Sequence, residues 1–295
     1  MTTIQNNNLL AQRLNNEQNK RLPKPAPIPP VLEPPKKNPP IHLLLLSGGI
    51  AMANIPLFHI ITQKMIKNDK ELGINFDSVK KVFSTMLTDD KNNLIKKGVK
   101  YYIAPEGSGD AKNIIKNYGG GAYVFSAKNG IKQIDTAMER ASLSLHEAGH
   151  AINHNCTKLG KLYYKVLSKM PSFLKNPLML STVAVIILQS IGNAYNKPKT
   201  ARNSNQKESF SITKFVHDNI GKLSLLAFAP LLLDEGFATK RALSAAKKFA
   251  PEMLKPLRKN LFPAALTYLL SANAMLISSL LGRKYVDEVK AQQNS

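Results

Sequence analysis

"LSLHEAGHAINHNC", residues 143–156, sets two histidines four apart with a glutamate directly after the first: His146, Glu147 and His150. Residues at i and i+4 project from one face of a helix, so as a helix the stretch offers both imidazoles to a single ion and turns Glu147 into the adjoining space. A catalytic zinc ion takes three protein ligands and keeps one position open for water. In that setting the glutamate takes the proton from the zinc-activated water while the metal polarises a carbonyl. The bland reading is a chance meeting of two histidines and a glutamate. The placement on a helix that follows a strand and a turn favours the metal reading. The expectation is one Zn2+ per chain, with His146 and His150 as ligands and Glu147 as the catalytic base.

The third ligand decides the class. A compact extended motif would place another histidine six residues after His150 and a glycine three after it, and here those positions hold Cys156 and Asn153. Cys156 is the chain's single cysteine, which excludes an intrachain disulfide framework and a four-cysteine zinc ribbon; it reads as a small buried residue. His154 lies one turn beyond His150 and reads as a supporting or substrate-side group. The candidates stand further on, in "LLLDEGFATKRAL" (231–243), where Asp234 and Glu235 follow an apolar run. Acids at a helix start are also favoured by the helix dipole alone. Glu235 is the preferred ligand and Asp234 the alternative, and the small Ala238 after them allows close helix packing.

"HEAGH" after a strand, two apolar segments and then "EGFA" (235–238) resemble the membrane-embedded gluzincin peptidases, the HtpX-like and CAAX-prenyl-protease group. The likeness spans roughly residues 95–250. It implies zinc held by His146, His150 and Glu235, with Glu147 as general base, and an edge strand near the site that pairs with extended substrate, "GAYVFS" (121–126) being in the matching position. The family has Asp after the alanine of its second motif. Here the residue is Thr239, which is expected to weaken the hydrogen bond propping a ligand and so to lower metal affinity. "HEAGHA" also occurs in FtsH-like proteases, but nothing here looks like their phosphate-binding loop. "PLLLDEG" resembles site-2-type intramembrane proteases, in which Asp234 would be the ligand; "TAMERASLSLHEAGH" is too polar for their apolar motif helix.

The remainder of the chain sets the context. Its 295 residues can bury a real core. A net charge of +22 is spread along the chain, which fits anionic lipid, solubility or nucleic acid. No groove-reading motif or interleaving of aromatic and basic residues accompanies it, so no nucleic-acid partner is expected. Residues 1–40 are polar and then proline-rich and read as a disordered tail. "PAPIPP" within it suits an SH3-like partner groove, although a semi-rigid spacer is the commoner meaning.

Residues 41–62 ("IHLLLLSGGIAMANIPLFHIIT") are uncharged, about a bilayer long as a helix, and follow Lys36 and Lys37, so they read as a transmembrane helix. The alternatives are a core helix carrying Gly48 and Gly49, or a late signal peptide. Residues 63–260 read as a zincin-like metallopeptidase domain interrupted by a membrane hairpin at about 177–195 and 215–233. Residues 261–282 read as a further transmembrane helix, and 283–295 as a polar tail. Within the domain, "INFDSVKKVFSTML" has helical spacing, "VKYYIAP" and "GAYVFS" read as strands, and residues 131–156 read as one helix carrying the motif.

The expected fold class is mainly α with a small β-sheet, an α+β zincin-like domain plus transmembrane helices. The expected function is a zinc-dependent, membrane-anchored endopeptidase, multi-pass in a bacterial-type inner membrane, with membrane lipid and protein or peptide substrates as partners. The basic N-tail, loop and C-tail would lie on the cytoplasmic side. Two further readings stand beside it: a catalytically inactive membrane scaffold working through the proline-rich tail, and a basic peripheral protein bound to anionic lipid.

Overall fold

The computed structural model describes residues 40–126, 129–171, 174, 176–196 and 211–293. The proline-rich tail and most of the basic loop after residue 196 therefore lie outside the described residues. The chain is mainly helical with one three-stranded sheet, which agrees with the coarse reading of the sequence.

Helix α1 (Ile41–Glu71) runs nine residues beyond the apolar segment that predicts it, and α2 (Phe76–Thr88) follows behind a capping box made by Asn75 and Ser78. One face of α2 buries Val79, Val82, Phe83 and Met86 in the main core. Strand β1 (Lys100–Ala104) leads to α3 (Gly109–Tyr118), which Gly119 ends at a left-handed φ of 70°. Then come β2 (Gly121–Ser126) and β3 (Ile131–Ala137).

Residues 131–137 correct the sequence reading: they form the middle strand of the sheet, not the front of the motif helix. β3 pairs parallel with β1 and antiparallel with β2. Its β-branched Ile131, Ile134 and Thr136 suit a pleated surface, and pairing on both sides overrides the helical spacing of "IKQIDTAM". The order β1-β3-β2 leaves β2 at an edge among the described residues.

A short 3-10 turn (Met138–Arg140) then feeds the motif helix α4 (Ala141–Cys156), in which every residue from Ala141 to Asn153 is buried. Its entry is fixed by a buried polar knot. The Ser142 hydroxyl and the Asn260 amide donate to the Asp69 carboxylate, Arg140 Nε lies 3.5 Å from it, and Arg140 Nη1 donates to the Gly119 carbonyl at 2.6 Å. Burial raises Asp69 to about 6 against the opposing charge of Arg140. This knot joins the end of α1 to the start of α4.

Helix α5 (Lys158–Ser168) follows, then α6 (Pro177–Asn193), α7 (Ile212–Phe249) and α8 (Leu254–Gln293). Helices α1, α6, α7 and α8 pack side by side. In their interior the Ser47 hydroxyl donates to the Ser278 carbonyl, Gln189 donates to Ser278 and Ser279, and Ser224 bonds Ser279. Leu45, Leu46, Ile187, Leu226, Phe262 and Leu269 are exposed outside. Among the described residues, one helix, Pro251–Gln292, is long and apolar enough to cross a membrane; Ile41–Ile50 and Pro177–Asn193 are shorter apolar helices.

Two boundaries differ from the sequence reading. The returning leg of the hairpin does not end at 233 but continues as one helix to Phe249, so Asp234 and Glu235 lie in a helix interior rather than at a helix start. Pro230 removes one backbone donor there, and packing of α7 against α6 and α8 holds the helix together across it. Residues 283–293, read as a polar tail, are helical. The pair His217 to Asp287 (2.8 Å) and the bond from Arg283 to the Asp218 carbonyl tie this end to α7.

Candidate metal centre

The centre lies where α4 crosses α7. One stripe of α4 carries His146, Gly149, His150 and Asn153; the facing stripe of α7 carries Asp234, Glu235, Ala238 and Thr239. Gly149 makes the crossing close, since a Cβ built on it would lie 2.5 Å from the Ala238 carbonyl oxygen and 2.7 Å from its Cα. The helices therefore meet backbone to backbone, and the side chains flanking this contact interdigitate.

His146 Nε2 and His150 Nε2 face each other at 3.0 Å, and Glu235 Oε2 lies 3.1 Å from the first and 3.6 Å from the second. Three ligand atoms about 2.0–2.1 Å from a tetrahedral ion stand about 3.3–3.4 Å apart, so this triangle has the size of one face of a zinc coordination shell. The tautomers agree. His150 Nδ1 is 2.9 Å from Asp234 Oδ2, a carboxylate that accepts the Nδ1 proton, and His146 Nδ1 is 3.2 Å from Thr239 Oγ1. With a proton on each Nδ1, both Nε2 atoms would turn their lone pairs toward one point, an arrangement that a shared cation satisfies. On the donor set and its geometry, the residues fit zinc.

The two acids divide the work. Glu235 faces both Nε2 atoms, whereas Asp234 grips the far side of His150 and is itself held by the Tyr164 hydroxyl (3.0 Å) and the Asn153 amide (2.8 Å). Arg241 Nε in turn donates to Asn153 Oδ1 at 2.8 Å. Tyr268 of α8 has its hydroxyl within electrostatic reach of Glu235. Burial alone would raise Glu235, but when His150 and His146 are protonated their charges and hydrogen bonds outweigh it and hold the carboxyl at about 2.

Glu147 is buried beside the histidines, with ligand atoms of all three residues within 4.8 Å of one another. Burial raises its carboxyl above the ordinary value, the two histidines and the nearby backbone N–H of Tyr123 opposing. Strand β2 therefore runs past Glu147, whose Cγ would lie 3.3 Å from a Cβ built on Gly121. In the pairing of β2 with β3, the Ala137 N–H donates to the Gly120 carbonyl. Alternation from that bonded pair turns the backbone groups of Gly121, Tyr123 and Phe125 to the open edge.

His154 stands apart from the triangle of His146, His150 and Glu235. Its Nδ1 accepts the Tyr123 hydroxyl at 2.6 Å, and its ring stacks on Tyr164 at 4.6 Å. Burial, reinforced by Lys132, lowers its pKa to about 4, so it stands neutral in a wall formed with Tyr123, Phe125 and Tyr164. Cys156 also departs from the sequence reading. It is half-buried at the end of α4, with Lys97 Nζ 3.1 Å from its sulfur.

Tyr164, Tyr268 and Asn153 were not legible as site residues, because nothing in their spacing relates them to the motif. Thr239 was legible only as a departure, and the structure gives it the contact to His146. No protein-family model matches the chain, and comparison with curated proteins and with solved structures finds no similar protein.

Proposed function

We propose that the protein is a zinc-dependent, membrane-anchored endopeptidase of gluzincin type with a zincin-like catalytic domain. His146, His150 and Glu235 hold the metal and Glu147 serves as the base. The observation that carries this reading is the triangle of two Nε2 atoms and one Oε2 with 3.0–3.6 Å edges, backed on its far side by Asp234 and Thr239. Zinc bound there supplies Lewis acidity toward a peptide carbonyl and toward water.

The chain's own residues do the rest. Glu147, with its basicity raised by burial, takes the proton of the attacking water and returns it to the departing amine. Asp234 and Thr239 keep both imidazoles oriented through their Nδ1 atoms. The edge of β2, unpaired among the described residues, offers the backbone groups of Gly121 and Phe125 to an extended chain, so recognition is mainly of backbone, and the wall of Tyr123, Phe125, His154 and Tyr164 suits an apolar or aromatic side chain. Substrates are unfolded or extended segments of membrane or membrane-proximal proteins.

Membrane anchoring is supported by the spanning length of α8 and by the four packed helices, which keep serines and a glutamine inside and large aliphatic side chains outside. The test is degradation of a denatured polypeptide by the detergent-purified chain, with zinc, with a chelator, and with Glu147→Gln. Cleavage that needs zinc and Glu147 supports the proposal. A fully folded, zinc-loaded chain that cleaves nothing refutes it.

A further inference from the structure

Helix α5 has two faces of different use. Inward, Gly160, Tyr164 and Leu167 are buried, and Tyr164 reaches Asp234 behind His150. Outward, Leu159, Leu162 and Val166 are 55%, 60% and 43% exposed, an apolar stripe at i, i+3 and i+7. Beside that stripe stand four exposed lysines, Lys158, Lys161, Lys165 and Lys169. On a helical wheel the lysines form their own row adjoining the apolar stripe on the side away from the core.

A short helix with an apolar face bordered by lysines is built to lie in the interface of an anionic bilayer, its aliphatic side chains among the acyl chains and its ammonium groups at the phosphates. The position in the chain agrees, since the six residues after Lys169 lead to Asn176, which caps the apolar helix α6.

We infer that α5 is an interfacial helix that seats the catalytic domain on an anionic lipid surface through Leu159, Leu162 and Val166. The inference rests on the membrane placement proposed above but not on the zinc chemistry. Each lysine at such a surface adds roughly fivefold to the preference for anionic lipid. Because Tyr164 stands on the opposite face of the same helix, the surface that meets lipid and the residue that steadies Asp234 belong to one rigid element.

The chain contains no tryptophan, so Leu162→Trp gives a single-site reporter. The full-length variant is reconstituted into phosphatidylcholine vesicles with and without phosphatidylglycerol, using lipids brominated on the acyl chains, and zinc content is measured on the same sample. The expected result is blue-shifted emission that brominated lipid quenches, more strongly with phosphatidylglycerol, and a loss of that added quenching when the four lysines become glutamine. Val166→Trp should behave alike, which guards against a local folding defect at one position. Emission quenched by aqueous iodide and not by brominated lipid overturns the inference. So does a tryptophan shielded from both quenchers, which would assign the stripe to a protein partner or a second copy. Either failure with zinc still bound leaves the peptidase reading intact, and lipid quenching without zinc does the reverse.

Discussion

Gly149→Ala is the sharpest perturbation of the centre. The new methyl would stand 2.5 Å from the Ala238 carbonyl oxygen, 2.7 Å from Ala238 Cα and 2.9 Å from its carbonyl carbon. All three are backbone atoms, so no side-chain rotation relieves the contact, and reaching ordinary van der Waals distance opens the crossing by about 0.9 Å. That displacement passes directly into the site, because α4 carries both histidines and α7 carries Glu235, Asp234 and Thr239. Overpacking of this kind costs about 1–3 kcal/mol of stability. Ligand positions tolerate shifts of only about 0.2 Å, so zinc affinity should fall by at least tenfold. Denaturant unfolding and competition with a fluorescent zinc chelator read the two effects separately. Adding Ala238→Gly should rescue neither, since it removes the Cβ of Ala238 and leaves the clashing backbone. Wild-type stability and wild-type zinc affinity in Gly149→Ala would refute the close crossing and the geometry built on it.

Glu147→Gln should retain zinc and a wild-type fold yet lose about 10²–10⁴ in turnover, measured by peptide hydrolysis on metal-loaded protein. Asp234→Ala and Thr239→Ala each strip one imidazole of its Nδ1 partner, so both should weaken zinc binding by about 10–100-fold while preserving stoichiometry at saturating metal. Asp69→Ala leaves the Arg140 guanidinium buried without its carboxylate and should cost about 3–5 kcal/mol in equilibrium unfolding, with the site lost only as the fold is lost.

The motif helix was legible because its chemistry and its periodicity coincide: residues 143–156 form a helix with His146 and His150 on one face, as the spacing requires. Its front end was not. "IKQIDTAM" fits helical spacing, and only pairing with two strands distant in sequence makes it β3. The choice between Asp234 and Glu235 was likewise beyond adjacency alone. Neighbouring residues on a helix point about 100° apart, so one acid faces the Nε2 atoms and the other reaches behind His150. Because both acids directly follow an apolar run, the sequence put them at a helix start, whereas α7 runs on through them to Phe249. Thr239 was legible through the motif. The departure from the family pattern predicts a weaker hydrogen bond to a ligand, and from the next turn of α7 the Thr239 hydroxyl stands 3.2 Å from His146 Nδ1. The buried knot of Asp69, Arg140, Ser142 and Asn260 gave no sign, since its members are scattered over nearly 200 residues.

Elemental analysis of zinc on the detergent-purified chain, run beside Glu235→Ala and Asp234→Ala at matched circular dichroism, tests the metal centre most directly. The geometry predicts close to one zinc per chain in the wild type, none retained by Glu235→Ala, and zinc retained with weaker affinity by Asp234→Ala. Metal lost with Asp234→Ala but kept with Glu235→Ala would exchange the roles of the two acids, and a folded wild type that takes up no zinc would contradict the peptidase reading altogether.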